Sequence, residues 1–192
     1  MRDLAPVSCC DLKLLNKLFS MHGHNFDSDL ILASAKRCKH GFIQVLMCKS
    51  LDARGKPFPT NFWLSCPYLI YQAGKIESQN GVHELENYLN HHNKFNEWQN
   101  YNRLHQFLRL NIINNSTKNF LRTYRPKIFK SIRSSGIGGM RYNTGKINIK
   151  CLHLQTASFL ALGFHPGGEW LIKKGLACES CESEKYCRAV KI

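Results

Sequence analysis

Between Trp98 and Gly168 the sequence contains no Asp and no Glu. Eleven cations lie in the same stretch: Arg103, Arg109, Lys118, Arg122, Arg125, Lys127, Lys130, Arg133, Arg141, Lys146 and Lys150. The acid-free middle cannot supply paired carboxylates for acid–base or two-metal chemistry. No phosphate-binding P-loop and no dinucleotide fingerprint occurs anywhere in the chain. An all-cationic segment suits a phosphate-rich partner, because Lys and Arg release counterions from a polyanion. The expected partners are therefore RNA, DNA or another polyanion, with an acidic protein and a merely solvated basic face as alternatives.

Long hydrophobic runs are also missing. The most apolar stretch, Leu152 to Phe164, is interrupted by His153, Gln155, Thr156 and Ser158 and is too short to span a bilayer. The opening segment reads as an amphipathic helix carrying charges, not as a signal peptide. A soluble, cytoplasmic protein is expected. Nine cysteines, an odd number without a secretion signal, argue against a disulfide framework. They leave buried thiols, metal ligands or a catalytic thiol. With 192 residues, 43% of them hydrophobic, the chain can bury a core of its own.

The pattern predicts an α+β fold: a small antiparallel sheet, about residues 30–66, packed with a helical majority. Leu30–Cys38, Phe42–Ser50 and Thr60–Cys66 read as strands, the last with Phe62 and Leu64 on one face and Trp63 on the other. Helices are expected over Asp11–Met21, Pro67–Glu77, Val82–His92, Phe95–Asn111 and Cys151–Leu162. Asn114-Asn115-Ser116 predicts a break, and Phe120–Ile132 a basic segment that turns helical after Pro126. Three parts follow: an N-terminal helical extension (1–29), an α+β core (30–175) and a Cys-rich C-terminal tail (176–192).

Cys178-x2-Cys181-x5-Cys187 is the sharpest local signal. Three thiolates at this spacing can wrap an iron–sulfur cluster, expected as 4Fe-4S, or a zinc ion, given one more ligand. Cys151 is the first choice for that ligand and Cys66 the second. The spacing resembles the cluster loops of endonuclease III-type glycosylases and RecB-class nucleases, without the residues for their reactions. A rival ligand set is Cys38, Cys66, Cys151 and His153. If a helix starts at Cys151, its positive end stabilises a thiolate there. Cys151 and His153 are then candidates for nucleophile and base, although residues two apart on a helix face different ways. Gly136-Ile137-Gly138-Gly139 resembles the phosphate-holding turn of helix-hairpin-helix modules. With Arg122, Arg125, Lys127, Lys130, Arg133 and Arg141, Gly138 and Gly139 form the candidate phosphate or nucleic-acid surface.

Several ordered segments carry a wider resemblance: Arg37–Gly41 (RCKHG), Gly55–Pro67 (GKPFPTNFWLSCP), Lys75–Gly81 (KIESQNG), Gly136–Arg141 (GIGGMR) and Lys150–Gly163 (KCLHLQTASFLALG). His165–Trp170 is a looser match. These are similar to the DUF501 family, bacterial proteins of unknown function, over roughly Lys36–Trp170. The resemblance implies no reaction, but it places Cys38, Cys66, Cys151 and His153 within its motifs. Three function classes stay open: a metal- or cluster-binding protein associated with nucleic acid, a Cys/His-dependent enzyme acting on a phosphate-bearing small molecule, and a basic protein that docks an acidic partner.

Overall fold

The computed structural model describes residues 4–21, 26–142 and 144–177. Strands β1 (Ile31–Arg37), β2 (Ile43–Cys48) and β3 (Phe62–Leu64) form an antiparallel sheet in that order. All six residues of β2 are buried, as a central strand covered on both faces requires. The two-residue period divides the side chains as the sequence suggests. Val45, Met47, Phe62 and Leu64 pack with Leu69, Ala157 and Leu160, while Leu46, Cys48 and Trp63 pack with Leu15 and Phe19.

The second of these faces is covered by α1 (Cys9–Met21). Arg37, at the end of β1, donates to both Asp11 carboxylate oxygens at 3.1 and 2.8 Å. That fork holds the Asp11 carboxyl down at about 2. Ala5 also pairs with Ser34 of β1, so the N-terminal segment is built into the sheet layer.

The helical majority follows: α2 (Pro67–Ser78), α3 (Gly81–His91), α4 (Phe95–Ile112), α5 (Asn115–Tyr124), α6 (Pro126–Ser134), α7 (Leu152–Leu162) and α8 (Gly168–Lys173). Asn80, at φ 67°, turns the chain between α2 and α3, a left-handed conformation that Asn tolerates. Gly163, at φ 77°, ends α7 as a left-handed cap. The α+β class is as expected. One local expectation is corrected. The Asn114-Asn115-Ser116 break is an N-cap, with Asn114 Oδ1 accepting from Thr117 N at 2.7 Å, so α5 begins at once. A further helix, α8, forms behind Pro166-Gly167-Gly168 because the glycines permit close approach: a Cβ on Gly167 would lie 2.6 Å from Leu85 Cδ1. Among the described residues, no helix is long and apolar enough to cross a membrane.

Candidate functional site

Helix α7 runs through the middle of the molecule, packed on β3 and α2. Its N-terminal turn leaves backbone amides without intrahelical partners. Glu77, near the end of α2, supplies one: Oε1 accepts from Leu152 N at 2.5 Å and lies 3.4 Å from His153 N. The same oxygen lies 3.0 Å from His153 Nδ1, while His153 Nε2 meets the Ile70 carbonyl at 3.2 Å. Cys151 completes the group. One donor atom from each of Glu77, Cys151 and His153 lies within 4.8 Å of the others.

Cys151 is the N-cap of α7, with extended φ −164° and ψ 157°. It stands outside the helical repeat, which is why the two-residue spacing to His153 does not separate them. Cys151 does not gain the stabilised thiolate expected of a helix start. Burial pushes its thiol up, and the amides of Leu154 and His153 offset this only in part. No Nε2 contact to the sulfur exists to activate it, since that nitrogen faces Ile70. Without metal, Cys151 is therefore expected to react slowly with iodoacetamide at pH 7. Peptide mass spectrometry reads this directly, with exposed Cys9 and Cys10 as fast internal references; equal labelling of all three would contradict it.

The other candidates separate. Cys38 and Cys66 border a different, small cavity together with Asp11 and His40, so the rival set does not assemble as one group. Cys178, Cys181 and Cys187 lie outside the described residues. In the glycine loop, Ile137 N donates to Asn102 Oδ1 at 3.0 Å, Gly139 N to Gly136 O at 3.2 Å and Met140 N to Ile137 O at 3.2 Å. Gly138 and Gly139, at φ 61° and 78°, pack against Leu154 and Pro59. The amides of Ile137, Gly139 and Met140 are thus already bonded, to Asn102 and within the turn, and close packing accounts for Gly138 and Gly139. Arg109, one of the eleven cations, is buried and belongs to the core. Arg122, Arg125, Lys127, Lys130, Arg133 and Arg141 are all exposed.

Beside the Glu77 group lies a cleft of about 460 Å³ between α1, β3 and the start of α7, walled partly by Cys151 and His153. Sequence reasoning found Cys151 and His153 but missed Glu77, whose only signal is its place within Lys75–Gly81 (KIESQNG).

No curated protein and no solved structure matches the chain. The family model described as a protein of unknown function (DUF501) matches residues 34–173, which span β1 to α8 and contain Glu77, Cys151 and His153. On that match the chain belongs to the DUF501 family.

Proposed function

We propose that this protein binds a metal ion through Glu77, Cys151 and His153. One observation carries the reading. A carbonyl only accepts, so the Ile70 contact places a hydrogen on His153 Nε2. In the neutral ring Nδ1 is then a lone pair, facing a carboxylate oxygen at 3.0 Å. Two acceptors at that distance need a positive particle between them, a proton or a metal ion. The Nε2–H to carbonyl bond is the support that metal-bound histidines commonly have. A metal ion also supplies the charge that a half-buried thiol needs in order to ionise. Mixed O, N and S donors favour zinc. A 4Fe-4S cluster, which prefers thiolates, rests on Cys178, Cys181 and Cys187 and would be read separately by iron and sulfide content.

The test is zinc affinity of the full chain by competition with a chromogenic chelator. Wild type should hold one ion per chain at this site. Cys151→Ser and Glu77→Gln should each weaken it by at least about a hundredfold. The triple variant Cys178→Ser/Cys181→Ser/Cys187→Ser should leave that ion in place. Loss with the tail cysteines, and retention in Glu77→Gln, would overturn the reading.

A second face supports association with RNA, DNA or another polyanion. Lys127, Lys130 and Arg133 recur every three residues on the exposed side of α6, opposite buried Ile132. Affinity for a nucleic acid should fall linearly in log–log terms as salt rises. Lys127→Glu/Lys130→Glu/Arg133→Glu should remove most of it; unchanged binding in a filter or anisotropy assay would contradict this.

A further inference from the structure

We propose that the cleft beside α7 binds a small molecule that presents an oxyanion to the metal centre and Lys150, and lays an apolar, planar body against Phe19 and Trp63. The inference rests on the metal reading above and names what that centre would serve.

Three protein donors leave one position of a four-coordinate ion open, the arrangement of catalytic rather than structural zinc sites. Here Cys151 and His153 form part of the wall of a cleft of about 460 Å³, within the size range of small-molecule pockets. Part of the wall is aromatic: Phe19 and Trp63 lie with ring centroids 4.4 Å apart, and both line the cleft. Among the described residues that line it, Lys150 is the one Lys or Arg, and there is no Asp or Glu. The cleft therefore favours an anion over a cation. A Cβ at Gly138 would come 2.5 Å from Leu154 Cδ1 and 3.6 Å from Lys150 Cδ, so the tight glycine turn leaves room for both side chains.

Four of the segments that carry the family resemblance meet at this place. Gly55–Pro67 gives Trp63 and the β3 wall, Lys75–Gly81 gives Glu77, Gly136–Arg141 gives the turn under Lys150, and Lys150–Gly163 gives Lys150, Cys151 and His153. Packing alone does not require an exposed lysine, a partly exposed thiol and a partly exposed histidine paired with Glu77 behind it to border one cavity.

The experiment is calorimetric titration of the zinc-loaded full chain with phenylphosphonate, phenylacetate and inorganic phosphate, with zinc content read on the same samples. At least one of the two ring-bearing oxyanions should bind about tenfold or more tighter than phosphate, and the better one distinguishes a phosphoryl from a carboxylate ligand. Lys150→Met should weaken both that probe and phosphate by about tenfold. Trp63→Leu should weaken the ring-bearing probe while leaving phosphate unchanged. Zinc-loaded protein that prefers neither ring-bearing probe, or is indifferent to Lys150→Met, overturns the cleft proposal alone. Protein that takes up no zinc overturns the metal centre and the cleft proposal with it.

Discussion

Replacing Arg109 by Met should lower the stability of this protein by about 3–5 kcal/mol, the usual cost of breaking a buried charged network. The side chain is 2% exposed and has no carboxylate partner among the described residues. It donates instead to the carbonyls of Pro59 at 2.6 Å, Gly136 at 2.8 Å and Ser135 at 3.2 Å, with Asn61 Oδ1 at 3.4 Å. Burial drags its pKa down to about 10, which measures how poorly the site solvates the cation. Methionine removes that burden but leaves the Pro59 and Ser135 carbonyls and Asn61 Oδ1 facing no donor, and Gly136 O with Gly139 N alone; each unsatisfied acceptor costs about 1–3 kcal/mol. The unmet acceptors win. In a chain of this size the expected loss is roughly 10 °C in Tm. Arg109→Lys should recover only part of it, because one ammonium cannot reach the acceptors that the guanidinium fork spans. A thermal melt of Arg109→Met that coincides with wild type would contradict this. The bond to Pro59 also ties α4 to the chain entering β3, so the same variant should loosen the wall of the cleft.

The second large effect is acid sensitivity. His105 and His165 are buried, and both pKa values are pushed down to about 3. Desolvation is the main cause for each, helped by Arg109 near His105 and by His105 near His165. Their hydrogen bonds suit neutral rings. His165 Nδ1 accepts from Gly167 N at 2.9 Å, so Nε2 carries the hydrogen toward Gln155 Oε1 at 2.9 Å. His105 Nε2 lies 2.6 Å from the Ser158 hydroxyl, which also contacts Tyr101. Between the ordinary histidine value and about 3, the unfolded chain binds protons that the folded chain refuses. Stability is thus full above pH 6.5 and is lost as pH falls below it, by about 1.4 kcal/mol per unit for each ring. Asp11 adds to the loss only below its ordinary value of 3.8, down to about 2. Urea midpoints at pH 7.5, 5.5 and 4.5 should fall steeply, and His165→Gln should flatten the slope by about half. A midpoint independent of pH over that range would refute the assignment.

These two groups show where sequence reasoning stops. Arg109 reads as one more cation of a basic stretch, because nothing local distinguishes it from Arg103 or Arg122. Only the long-range meeting of α4 with the turn at Gly136 makes it a core residue. Glu77 is a similar case, a glutamate near the end of an amphipathic helix whose partners lie more than seventy residues away. What the sequence carried well was periodic or local. Examples are the alternation of Phe62, Trp63 and Leu64, Pro67 opening α2, Gly163 closing α7, and the pairing of Cys151 with His153 in one short motif. At the glycine loop composition alone is ambiguous, because a phosphate-holding turn and a packed turn share it. They differ in whether the amides are already spent.

The central claim is that Glu77, Cys151 and His153 hold a metal ion, and X-ray absorption at the edge of the metal bound to the full-length protein tests it most directly. The account predicts a single sulfur neighbour among nitrogen and oxygen ligands, lost in Cys151→Ser. A shell of three or four sulfurs that survives Glu77→Gln would contradict it and assign the metal to Cys178, Cys181 and Cys187.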